Sequence, residues 1–173
     1  AITYGLALED KGIDAVLAKV GVEPSGEAFN SISLDKETGR PLNPMINAGA
    51  IATTGLINGV DGEEKLNRIL RRFEDYVGHP VTIDKEVYAS ERDTGHRNRA
   101  IAHLLRNADI IQGVPEDVVD LYFRQCSINV TAQDLAALDA ITVARIVFRL
   151  QATSPVPLTV SVRGVIAHVR DDL

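Results

Sequence analysis

Apolar residues recur at helical spacing over 1–20: Ile2, Leu6 and Leu8, then Ile13, Val16, Leu17 and Val20. This spacing predicts helix, with Gly12 as a break or kink. Between Gly21 and Pro44 the pattern dissolves into Pro24, Gly26, Gly39, Pro41 and Pro44, a loop-rich connection. Ala48–Asn58 predicts a helix of small residues with Asn47 near its start, where Ala and Gly leave room for a backbone or a ligand. Gly62–Val77 is amphipathic, with Leu66, Ile69, Leu70 and Phe73 inward and Glu63, Lys65, Arg71 and Arg72 outward. Tyr88–Thr94 is polar, a short helix or a loop. Arg97–Asn107 predicts a helix burying Ile101, Leu104 and Leu105. Pro115 with acids behind it starts a helix through Gln125. Thr131 caps a last helix, and Asp134 completes a capping-box pattern. From Asp139 the chain turns to Val, Ile and Arg with Pro155 and Pro157, and the alternation from Leu158 to Val169 predicts strand. Residues 1–138 therefore form a helical unit, and 139–173 a divergent tail, strand-forming or frameshifted.

Composition narrows the function classes. The 173 residues are 45% hydrophobic and 24% charged, ordinary for a globular domain with a sizeable core. The net charge of −6 argues against nucleic acid and against an anionic membrane surface, since both need a basic footprint. The sequence has no transmembrane-length apolar run and no signal-peptide pattern. The lone Cys126 has no internal disulfide partner, which fits a reducing, cytoplasmic setting. Met45 is the only methionine and Ala1 opens directly into an apolar segment, so a fragment or a processed chain is expected.

Candidate chemistry begins at Pro44-Met45-Ile46-Asn47-Ala48-Gly49-Ala50-Ile51-Ala52, a lone amide inside a small apolar run. Burying it unsatisfied costs about 1–3 kcal/mol, so Asn47 is either a cap with local partners or faces a polar ligand. Ser90-Glu91, His96-Arg97-Asn98 and Tyr122-Phe123-Arg124-Gln125 add a carboxylate, amides and a phenol. These groups suit a small zwitterion: the carboxylate for an α-ammonium, the amides and phenol for a carboxylate and a side-chain amide. Singly, each reads more readily as a cap or a solvated surface group. Cys126 with His96 or His103 is a conceivable nucleophile pair, but a lone Cys after a helix reads as packing. The two histidines lack further ligands at metal spacing. Arg97–Arg106 resembles a basic recognition helix, yet the acidic balance favours a solvated face. Neither Gly-rich phosphate-loop motif occurs.

Several segments in register carry a resemblance. Gly26-Glu-Ala-Phe-Asn-Ser31, Gly39-Arg-Pro-Leu-Asn-Pro-Met-Ile-Asn-Ala-Gly-Ala-Ile51, Ser90-Glu91 followed by His96-Arg-Asn-Arg-Ala-Ile-Ala102, and Tyr122-Phe-Arg-Gln-Cys-Ser127 resemble the serine-dependent glutaminase family. The resemblance covers Ala1 to about Leu138. Asn47 and Glu91 lie 44 positions apart, with seven more to Asn98 and 24 more to Tyr122.

The resemblance implies a β-lactamase-like α+β serine-hydrolase fold, of which this chain holds mostly the helical part. It implies hydrolysis of L-glutamine to L-glutamate and ammonia with no metal or organic cofactor. A serine in a Ser-x-x-Lys motif would attack the side-chain amide, and a glutamyl ester would then be hydrolysed. Homo-oligomers are the family's usual assembly. By motif match, Asn47, Glu91, Asn98 and Tyr122 are substrate-binding positions: Glu91 for the α-ammonium, Asn47 and Asn98 for the polar ends, Tyr122 near the nucleophile in a place suited to proton relay. The family's Ser-x-x-Lys would precede Ala1, so no catalytic residue is assigned in this chain. The family's later turn, its Lys-Ser-Gly-type strand and its further tyrosine have no counterpart in 139–173. The alternatives are a non-catalytic helical interaction module and a Cys126-dependent hydrolase.

Two expectations follow. With exposed helix faces, the piece should be of low stability or self-associate, which a cooperative monomeric melt would contradict. Without a nucleophile, the 173-residue chain alone should hydrolyse glutamine orders of magnitude more slowly than a full-length relative. Ammonia release at a comparable rate would overturn that expectation.

Overall fold

The computed structural model describes residues 2–24, 26 and 28–138. Helix α1 (Ile2–Lys11) stops where Gly12 takes φ +81°, and α2 (Ile13–Leu17) resumes on a new axis. A long loop then leads to α3 (Asn47–Gly55), α4 (Gly62–Val77), α5 (Lys85–Thr94), α6 (His96–Asn107) and α7 (Pro115–Cys126). Residues 132–138 are again helical. Among the described residues, extended pairing is confined to the isolated bridges Leu34–Pro41 and Ile83–Ile128. The strand expected in 139–173 lies outside the described residues.

Local chemistry explains the helix ends. The Asp61 carboxylate accepts from the Glu64 amide at 2.8 Å, and Gly78 closes α4 at φ +80°. Asp84 accepts from the Glu86 and Val87 amides, both at 2.9 Å, so the polar stretch before Thr94 is a complete capped helix. The Thr131 amide donates to Asp134 at 2.8 Å and the Asp134 amide to the Thr131 hydroxyl at 3.1 Å, the expected capping box.

Helix α7 is the spine, packed on by α3, α4, α5 and α6. Its residues Val118, Val119, Tyr122 and Phe123 join Ile51, Ile101, Leu105 and Ile111 in one apolar cluster. Leu121 faces the other way, into a second cluster with Leu6, Val16, Ile57, Leu66 and Ile69. Gln125, near the end of α7, ties the layers together through its side-chain oxygen. It accepts from Thr3 at 2.8 Å and from the fully buried Thr54 at 3.4 Å. Ion pairs hold α1 on α4: Arg68 meets Asp10 in a two-point contact at 2.5 and 2.6 Å, and Arg72 pairs with Glu9. Burial alone would raise the Asp10 carboxyl, but Arg68 and the Asn58 amide outweigh it and hold it below its ordinary value.

Some expected faces differ. Leu66 and Ile69 are buried as the pattern requires, but Arg72 is an inter-helix partner where a purely solvated charge was expected. Ile13 and Leu104 are exposed, at 55% and 43%. The described elements do not cover the sector of each helix on which those residues stand.

Gly49 marks the tightest approach in the fold. A Cβ there would sit 1.8 Å from the Asn43 carbonyl oxygen and 2.9 Å from Pro44 Cα, both backbone atoms with little freedom to move. Gly49→Ala should therefore destabilise by about 1–3 kcal/mol, read as a lower urea midpoint. Gly5→Ala, in open space within α1, should instead stabilise by about 0.5–1 kcal/mol.

His79 and Asp134 supply a pH-dependent tie between the end of α4 and the helix at 132–138, with Nε2 2.8 Å from Oδ1. The Asp134 carboxylate, then the Pro80 carbonyl, raise the His79 imidazole above its ordinary value. The Thr131 amide, then His79, lower Asp134. A raised histidine stabilises fully below its unfolded value, and a depressed aspartate fully above its own. The pair should thus contribute most between about pH 4 and pH 6.5 and fade as pH rises through the raised imidazole value. The difference in urea midpoint between the parent and His79→Ala, measured across pH, should follow that window.

Candidate functional site

Asn47 is the first residue of α3, preceded by Ile46 in extended conformation. Its backbone amide donates to the Phe29 carbonyl at 2.9 Å, anchoring the preceding loop. Its side chain makes no cap. The Nδ2 group donates across to Asn98 Oδ1 on α6 at 3.1 Å. That bond orients both amides: Asn98, its oxygen turned to Asn47, presents its NH2 group, and Asn47 keeps its carbonyl oxygen and a second N–H. Two half-buried amides are thus held side by side as donors and acceptors.

Of the two neighbours the small-residue run leaves room for, a backbone or a ligand, Gly49 takes a backbone. At Gly49 the close neighbour is the chain's own Asn43–Pro44 backbone. Seating that loop against α3 places Ile46 and the start of the helix, and with them Asn47.

Glu91 comes from α5, whose residues are all at least partly exposed. The α5–α6 junction, Gly95, is wedged against Phe123: a Cβ there would lie 2.2 Å from the Phe123 ring and 2.5 Å from the Glu91 carbonyl oxygen. The junction is thereby pressed onto α7 beside Tyr122, and Glu91 and Asn98 arrive on consecutive helices on either side of it. The rings of Tyr122 and Phe123 stand 6.1 Å apart at 51°.

Tyr122 is buried at 7% exposure. Burial first, then the neighbouring Cys126 thiol and the Glu91 charge, hold its phenol well above the ordinary tyrosine range. Like any ordinary tyrosine it is protonated at neutral pH, and burial strengthens that preference. Burial likewise raises the Cys126 thiol, and the Glu91 charge adds to it against a lowering hydrogen bond from Tyr122. Cys126 is exposed as a residue, but a raised thiol is the wrong state for a nucleophile. Its electrostatic neighbours are Tyr122 and Glu91, while His103 pairs with Glu116 at 2.8 Å. Among the described residues, no imidazole acts on it.

The basic residues of α6 are also engaged. Arg97 donates to the Asn30 carbonyl at 3.2 Å, and the Arg99 guanidinium lies 5.3 Å from the Phe123 ring centroid. Among the described residues no group of His, Cys, Asp and Glu has the makings of a metal site, and no helix is long and apolar enough to cross a membrane.

Sequence reasoning passed over two things. One is Gln125 as a structural tie, which its polar character alone did not distinguish from a ligand contact. The other is a Ser-x-x-Lys tetrad inside the chain, Ser33-Leu34-Asp35-Lys36. Leu34 there bridges to Pro41, and Asp35 accepts from the Thr38 amide and hydroxyl at 2.8 and 2.6 Å. The tetrad runs through the Leu34 bridge into the turn at 36–38, with Ser33 buried and Lys36 exposed. Ser-x-x-Lys pairs its groups when a helix places i and i+3 on one face, and no helix runs here.

Comparison with known proteins identifies the family. The sequence model of the family described as Glutaminase matches residues 1–160. A glutaminase of Trichormus variabilis is 58% identical over 137 residues, covering 79% of this chain and 41% of that protein. Glutaminase 2 of Clostridium perfringens is 48% identical over 142 residues, covering 80% of this chain and 47% of its own length. Among solved structures, the Bacillus subtilis probable glutaminase superposes with a TM-score of 0.80 at 35% identity, over 87% of this chain and 49% of that one. Mglu in its glutamate form gives a TM-score of 0.73 at 42% identity, over 79% and 32%. The chain spans less than half the length of these relatives. With sequence and structure in agreement over most of its length, the chain belongs to the glutaminase family.

Proposed function

We propose that the protein carrying this chain hydrolyses L-glutamine to L-glutamate and ammonia, and that Asn47, Glu91, Asn98 and Tyr122 form one wall of its substrate pocket. In this reading the helices of residues 1–138 are part of a β-lactamase-like serine-hydrolase fold, and the reaction runs through a Ser-x-x-Lys acyl-enzyme. The serine oxygen adds to the side-chain carbonyl, ammonia leaves with a proton, and water cleaves the glutamyl ester. The observation that carries the proposal is the pairing of Asn47 with Asn98 at 3.1 Å, from helices 51 positions apart in sequence. Two amides locked together leave directed donors that suit a carboxylate.

Glu91 is the counter-charge for the α-ammonium, the one anionic role a zwitterionic substrate demands. Tyr122, protonated and buried, donates a hydrogen bond, so in a proton relay it starts as the donor. A solved relative, 42% identical, is in its glutamate form, a ligand of the chemical class this wall suits.

In the protein that carries these residues, ammonia release from L-glutamine should show a KM raised roughly 10- to 100-fold by Glu91→Gln, with kcat little changed. This matches the loss of one charge-assisted hydrogen bond, about 1.5–3 kcal/mol. An unaltered KM would remove Glu91 from the pocket, and absence of ammonia release by the parent protein would sink the proposal itself.

A further inference from the structure

Helix α5 carries Glu91 but lacks a buried residue of its own, so something other than a hydrophobic face must fix its rotation. Tyr88, one turn before Glu91 on the same helix, is half-buried against the larger apolar cluster. Its hydroxyl donates to Asp120 Oδ1 on α7 at 2.5 Å. Asp120 Oδ2 faces Arg124 Nε at 2.9 Å as an ion pair, and Arg124 also pairs with Glu63 of α4. Two guanidiniums flank the Tyr88 ring, Arg124 at 5.7 Å and Arg92 at 5.8 Å from its centroid. Asp120 and Arg124 lie on α7 two residues either side of Tyr122.

We infer that the Tyr88–Asp120–Arg124 network is a positioning clamp that sets the rotation of α5 and so aims the Glu91 carboxylate at the substrate α-ammonium. The inference rests on the reading of Glu91 given above. The geometry favours it over a merely structural tie for two reasons. Residues three apart on a helix share a face, so a contact that fixes Tyr88 fixes the direction of Glu91. The clamp also grips α7 around Tyr122, so the carboxylate is positioned against the same helix that carries the phenol. The second fixed point of α5, Gly95 against Phe123, holds the position of its end but does not fix its rotation. Tyr88, Asp120 and Arg124 touch no substrate in this scheme and act through Glu91.

The test uses the full protein with two substrates, L-glutamine and its des-amino analogue, which keeps the carboxylate and side-chain amide but lacks the α-ammonium. Tyr88→Phe keeps the ring and removes the hydroxyl. It should raise KM for L-glutamine about tenfold with kcat within about twofold, and leave the analogue's kcat/KM unchanged. Asp120→Asn, which retains an acceptor for the tyrosine hydroxyl, should recover most of the discrimination that Asp120→Ala loses. General weakening of the fold would depress both substrates alike. Equal effects on the two substrates, or parent-like selectivity in both Tyr88→Phe and Asp120→Ala, would overturn the clamp. If Glu91→Gln itself left the selectivity unchanged, the reading of Glu91 would fail, and the clamp with it.

Discussion

A helix packed on by several others can offer a ligand only a narrow sector, and α7 is such a helix. Its apolar residues are divided between two clusters, with Leu121 on one side and Val118, Val119, Tyr122 and Phe123 on the other. Every candidate site element is referenced to it: α5 through Tyr88 and Asp120, the α5–α6 junction through Phe123, and α3 through Gln125. Burial on this scale forces polar groups near the helix to find partners, since an unpaired one costs about 1–3 kcal/mol. Gln125 finds Thr3 and Thr54, and Asp120 finds Tyr88. What α7 leaves to the site is mainly the phenol of Tyr122 and the thiol of Cys126 beside it.

The polar contacts sort by what they leave free. Around Arg68 and Asp10 the bonds join two helices, and around Thr131 and Asp134 they close a helix start. Around Asn47 and Asn98, the bond leaves donor and acceptor capacity unspent. In the proposed reading, that unspent capacity, the buried phenol of Tyr122 and the Glu91 carboxylate suit an amino acid that bears an amide.

Helices were legible wherever period and punctuation agreed. Gly12, Pro115, and the Thr131–Asp134 box mark ends that the backbone adopts. The helix at 85–94 was read only in part, because its stretch carries no apolar period; its cap at Asp84 was the available signal. Leu104 was assigned inward by spacing and lies outward, since a helix whose apolar arc is wider than its contact leaves one edge uncovered. Arg72 was assigned to solvent and pairs with Glu9, as charge pattern along one helix contains nothing about the helix beside it.

For the site, the chain's order of residues determined which groups were candidates: an amide in a small-residue run, a carboxylate in a polar helix, a second amide, and a phenol on an apolar one. It also determined, through net charge and the absence of phosphate loops, which ligand classes were poor fits. Tertiary structure decided the pairing of Asn47 with Asn98, the role of Gly49 as a seat for its own loop, and the burial of Tyr122. The physical reason is range. Helical period, caps and turns are interactions over a few residues and are written in local sequence. Hydrogen bonds between amides 51 positions apart, and the burial that moves a phenol's proton equilibrium, depend on which helices pack together.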